Sequence, residues 1–151
     1  MTSKCLAAEE LRSVKDLDGI HVTLGPVASM VHIEDDWTPA AGAELSLVYV
    51  QERCRPAALG FAFGGLSYSD RDGGRLWLEA ELAVNDPLPV AIGLGLGATA
   101  EVDPVQDARL GLQATLWVFA GVIPYLRAGS LDREGEFVEA GVMLKIPALR
   151  Y

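Results

Sequence analysis

Strict alternation of two residue classes between Pro89 and Phe119 limits what this chain can fold into. Val90, Ile92, Leu94, Leu96, Ala98, Ala100 and Val102 alternate with Ala91, Gly93, Gly95, Gly97, Thr99 and Glu101. After the turn Asp103-Pro104-Val105-Gln106-Asp107, Leu110, Leu112, Ala114, Leu116 and Val118 alternate with Arg109, Gly111, Gln113, Thr115, Trp117 and Phe119. Successive side chains of a strand point to opposite faces, so a period of two predicts long β-strands. One face is aliphatic. The other is mostly Gly and small residues, with a few charges. Such a face is a poor surface to offer water, but it suits the cramped inside of a narrow barrel whose aliphatic face meets lipid.

The 151 residues suffice for one domain with a sizeable core. Half of them are hydrophobic, yet no run approaches the ~20 apolar residues of a spanning helix. A spanning strand needs only ~9–11 residues, and several runs reach that. The net charge of −9 argues against nucleic acid and against docking on acidic lipid. The start, Met1-Thr2-Ser3-Lys4, has no apolar core behind it and is not read as a secretory signal. Either a signal has been removed or the protein is not exported. Leu11, Val14 and Leu17 have helical spacing, which predicts a short helix over Glu9 to Leu17. The division expected is an N-terminal segment, 1–19, and a barrel domain, 20–151.

The remaining runs repeat the same two-faced pattern. Strands are predicted over His21–Ile33, Trp37–Val50, Ala57–Ser69, Arg75–Val84, Val122–Leu131 and Glu136–Ile146, beside the two within Pro89–Phe119. Pro26 cannot donate to a ladder and marks a bulge or bend in the first strand. Gly64-Gly65 is expected to break the third as a bulge. Asp70-Arg71-Asp72-Gly73-Gly74 reads as a hairpin turn, since Asp-Gly favours positive φ. No connection is long enough for a crossover helix, so neighbours in sequence pair antiparallel. The fold class is therefore all-β: an eight-stranded antiparallel up-and-down barrel, closed on itself and without edges.

This pattern resembles the small eight-stranded outer-membrane barrels, such as the transmembrane domain of outer membrane protein A and its short relatives. The resemblance covers roughly residues 20–147 and is architectural. It implies a Gram-negative outer-membrane location, a periplasmic N-terminus and assembly by the barrel-insertion machinery. Members often end in an aromatic residue, a place that Tyr151 would take. Trp77 and Trp117 have the parity of the polar face, while Trp37, Tyr49 and Phe137 are expected near the membrane interfaces. In this topology Cys5 and Cys54 lie on the periplasmic side. They either pair as a disulfide or remain two thiols.

Catalytic and cofactor chemistry find little support. Gly93-Leu94-Gly95-Leu96-Gly97-Ala98 contains a loose dinucleotide fingerprint. That motif must end a strand and open a helix, whereas here alternation runs straight through it. His21 and His32 sit near opposite ends of one strand with no ligand cluster around them, so no metal or other cofactor is expected. Glu79 and Glu81 share a face, but without a cleft they read as acceptors for basic groups rather than as acid–base catalysts. The charges on the polar face are Glu44, Glu79, Glu81, Glu101, Arg109, Arg127, Glu139 and Lys145. Arg127 and Glu139 are equidistant from Arg133, and Glu101 and Arg109 from Val105. Each couple should therefore face each other across a hairpin. Glu44, Glu79 and Glu81 should find Arg109, Arg127 or Lys145 across the interior, because unpaired buried charge is costly.

The expected function is thus a non-enzymatic outer-membrane barrel with a structural, anchoring or interaction role. Its lumen is filled by a polar network, its partner is a lipid bilayer or detergent, and it binds no nucleic acid. Two alternatives stand beside it. One is a soluble lipocalin-like barrel holding an apolar molecule against the aliphatic face. The other is a de novo designed barrel, which regular strands and short turns also fit.

Overall fold

A computed structural model describes residues 18–33, 35–51, 57–85, 91–103, 108–132 and 135–151. The segment with the expected short helix, and both Cys5 and Cys54, lie outside the described residues. The strands are β1 (Gly19–Ile33), β2 (Asp36–Val50), β3 (Ala58–Tyr68), β4 (Gly74–Asn85), β5 (Ala91–Val102), β6 (Arg109–Phe119), β7 (Ile123–Leu131), β8 (Gly135–Met143) and β9 (Ile146–Arg150). Each pairs antiparallel with its neighbour in sequence from β1 to β8. β1 also pairs with β8 through its second half and with β9 through its first. β8 and β9 are thus two halves of one stave, and the sheet closes as an eight-stranded meander barrel.

The turns follow from local chemistry. Gly73 takes φ 104° after Asp72, and Gly121 takes φ 91° between Ala120 and Val122. Side chains are avoided at such angles, and glycine adopts them without steric cost.

The aliphatic parity points outward. Ile92, Leu94, Leu96, Leu110, Leu112, Leu116, Val142 and Leu144 are all exposed, Leu112 at 72%. Val90 lies outside the described residues. The lipocalin-like arrangement, which needs this face to line a cavity, is not adopted. Along the described strands the outward parity carries mainly Leu, Val, Ala, Ile and Phe; its charged residue, Glu136, lies near the start of β8, and its polar residues His32, Ser67 and Ser130 lie next to strand ends. Water-facing sheets alternate apolar with charged side chains; this one does not.

Three expectations need correction. β3 shows no bulge at Gly64-Gly65, because the ladder runs unbroken from Glu44↔Gly64 to Ala43↔Gly65. The strand keeps its faces, and the lumen changes character instead: Leu66 and Tyr68 turn inward and close that end. Pro26 leaves β1 regular against β2. The irregularity falls on the other side, where the stave breaks between Met143 and Ile146. There Pro26 accepts from Leu144 N (3.1 Å) and has no N–H to return. A second shift follows, since Val22 faces Leu149 and Thr23 faces Pro147. Phe137 is not an interface residue. It is 1% exposed and sits inside with Val31, Ile33 and Leu131.

Candidate functional site: the polar lumen and its mouth

Inward parity brings five acidic residues from four strands into one space. Glu44 comes from β2, Glu79 and Glu81 from β4, Glu101 from β5 and Glu139 from β8; all are buried. Burying a carboxylate without a partner is expensive, and each of these has a cation. Arg127, fully buried on β7, lies 3.4 Å from Glu139, 3.5 Å from Glu79 and 3.6 Å from Glu44. Lys145 approaches Glu81 at 2.8 Å and Glu44 at 3.1 Å. Arg75 reaches Glu139 at 3.0 Å and Glu101 at 3.5 Å.

The hairpin symmetry places its couples correctly: Arg127 is opposite Glu139 and Arg109 is opposite Glu101 in the ladder. The first couple is an ion pair. The Glu101 carboxylate also receives Arg75, Arg71 and the hydroxyl of Tyr68, the last at 2.7 Å. Sequence reasoning missed Arg75, although it shares odd parity with Trp77, Glu79 and Glu81 and could have been found from that. Arg71 belongs to the turn, where parity gives no guide.

Neutral groups complete the network. Trp77 Nε1 donates to Glu44 Oε2 at 3.1 Å. Thr115 donates to Glu79 at 2.6 Å and accepts from Arg127 Nε at 2.9 Å. Gln113 also donates to Glu79, and Tyr125 to Glu139. The aromatic rings sit over guanidinium planes: Arg127 is 4.1 Å from the Trp77 centroid and Arg75 is 3.6 Å from that of Phe137. Such contacts gain strength where water is excluded.

The glycines explain how these rings fit. Gly64 faces Trp77 across the ladder, and Gly93 faces Trp117. A Cβ on Gly64 would lie 2.2 Å from the Trp77 ring, and one on Gly93 2.1 Å from the Trp117 ring. Each indole occupies space that a side chain on the opposite strand would need.

The two ends differ. Towards the β3–β4 turn, Val31, Ile33, Leu66, Leu131 and Phe137 pack together across the barrel. Towards the β6–β7 turn, a cavity of about 290 Å³ opens. Val48, Val50, Trp117, Phe119 and Ile123 form its walls, and Glu81 with Lys145 forms its floor. His21 borders it as well, whereas His32 faces outward and meets Trp37 edge-on. Among the described residues no group of His, Cys, Asp and Glu is arranged to hold a metal ion.

No family model and no curated protein matches the chain. Solved structures do match, among them the following two. The crystal structure of Neisserial surface protein A (NspA) matches with TM-score 0.53 at 13% identity, over 86% of this chain and 97% of that one. The solution structure of the de novo designed protein TMB2.3 matches with TM-score 0.53 at 16% identity, over 87% of this chain and 98% of that one. At these identities the likeness is one of fold, and what the chain shares with both is the eight-stranded antiparallel barrel.

Proposed function

We propose that this chain is an integral outer-membrane β-barrel that anchors or presents its turns, with a lumen too full to conduct and no catalytic role. The observation that carries the reading is the outward face, apolar through the middle of each described strand from β1 to β8 and free of charge except at Glu136, near the start of β8. Nine to fifteen residues per stave from β1 to β8 is enough to cross a hydrocarbon layer. One similar fold is a surface protein and the other is designed, so the reading rests on the chain's own surface rather than on kinship.

Two experiments test it. Leu96, at the middle of β5 and 58% exposed, should face the bilayer centre. Leu96→Arg is expected to cost roughly 2–4 kcal/mol in reversible folding into lipid vesicles. An unchanged folding free energy would place β5 outside the hydrocarbon. For the lumen, reconstitution into a planar bilayer should give no steady single-channel conductance, because eight strands leave an interior that side chains can fill. A large, stable conductance would refute the closed lumen while leaving the membrane placement standing.

A further inference from the structure

The two mouths of the barrel are finished differently. At the β3–β4 end the inward positions carry Leu66, Tyr68, Leu131 and Phe137, and these close it. At the β6–β7 end they carry small residues, among them Ala57, Ala83 and Ala91, and a cup of about 290 Å³ remains. The polar floor of this cup is satisfied within the protein. The Lys145 ammonium meets both oxygens of Glu81, at 2.8 and 2.9 Å, and Glu44 at 3.1 Å. Glu44 also takes Trp77 Nε1 and Arg127. The floor groups bond one another, so the walls decide what fits. Val48, Val50, Phe119 and Ile123 make those walls apolar, and apolar surface gains by leaving water.

The chain enters the barrel beside this cup. Asp18, the first described residue, accepts from Arg150 Nη2 through its carbonyl at 3.1 Å. Ile20 exchanges two backbone hydrogen bonds with Tyr151, at 3.1 and 3.0 Å. His21 already lines the cup. Residues 1–17 therefore join the barrel at its rim. In their sequence Leu11, Val14 and Leu17 recur at helical spacing, and Glu9, Arg12 and Asp16 fall on the opposite face of such a helix. A helix rises ~1.5 Å per residue, so Leu11 would lie within about 9 Å of Leu17 along the axis.

We propose that the chain's own residues 1–17 stopper this cup. Leu11 and Val14 set their side chains against Val48, Val50, Phe119 and Ile123, while Glu9, Arg12 and Asp16 stay in water. The volume takes a few apolar side chains and not a whole helix, so the segment lies across the mouth. An occupant tethered at the rim has a high effective concentration, which a free ligand must overcome. The inference concerns the cup alone. It depends neither on what meets the outer face nor on the ion-pair network deeper in the lumen.

The test uses the full chain in lipid nanodiscs, with isotope-labelled methyl groups as readout. Cys5→Ser and Cys54→Ser remove the native thiols, and Ser13→Cys carries a nitroxide. The nitroxide should strip intensity from the methyl signals of Ile123, Val48 and Val50. Those of Val31 and Ile33, at the closed end, should stay sharp and serve as the control for folding. Deleting residues 1–17 should shift the three cup signals. Leu11→Asp combined with Val14→Asp should reproduce that shift and restore the intensity lost to the nitroxide. Cup signals untouched by the nitroxide or indifferent to the deletion would overturn the proposal, as would an intensity loss that the double substitution does not relieve. So would a loss that vanishes on dilution with unlabelled chain, because the stopper would then come from a second copy.

Discussion

Arg127→Ala should lower the unfolding free energy by about 3–5 kcal/mol, the cost of stripping the partner from buried charge. The guanidinium touches Glu44, Glu79 and Glu139 together and is fully buried. Glu44 keeps Lys145 and Glu139 keeps Arg75. Glu79 retains only the hydroxyl of Thr115 and the amide of Gln113 among the contacts described. Adding Glu79→Gln should therefore recover part of the loss, because it removes the charge left without a cation. Arg71→Ala is the control. Arg71 also meets Glu101, but its side chain is 36% exposed, and pairs reached by water are worth about 0–1 kcal/mol. Denaturant titration of the folded barrel in detergent measures all three variants. A loss below about 1 kcal/mol for Arg127→Ala would mean that the lumen admits enough water to solvate Glu79 and Glu139.

Trp77→Ala should be of similar size, about 3–5 kcal/mol. The ring is 2% exposed, donates to Glu44, carries Arg127 on its face and lies over Gly64. Its removal opens a cavity beside a glycine that cannot fill it. The same geometry predicts a coupling. Gly64→Ala should be strongly destabilising alone, because its Cβ meets the indole, and much less so in the Trp77→Ala background. Additive effects in a double-mutant cycle would show that Trp77 and Gly64 do not share this space.

Much of this was legible from parity. Once Leu94, Leu96, Leu110 and Leu112 are placed on one face, the opposite face follows residue by residue, and short turns such as Asp72-Gly73 fix which strands adjoin. Hairpin symmetry is strong enough to bring Arg127 to Glu139, because equal distance from a turn sets the ladder partner. It fails for contacts across the barrel. That Trp77 reaches Glu44, or Arg75 reaches Glu139, depends on the stagger between strands distant in sequence, and no local pattern encodes it. Gly64-Gly65 misled for a different reason. The alternation looks broken there because large apolar residues begin to point inward, and composition cannot distinguish a strand that switches face from a lumen that changes from polar to apolar. The indole of Trp77 supplies a better reason for Gly64 than a bulge does.

The seam between β1 and β9 bears on how the chain must be made. β1 emerges before the other described strands, whereas Ile146–Arg150, which pair with its first half, follow all of them. Every other strand meets its partner as soon as the next turn is complete. Until the final stretch arrives, one edge of β1 has exposed amides and carbonyls with nothing to bond, a template for pairing with other chains. The nascent protein therefore cannot protect itself stave by stave. Something must shield that edge, or keep the strands from forming, until Ile146–Arg150 are in hand.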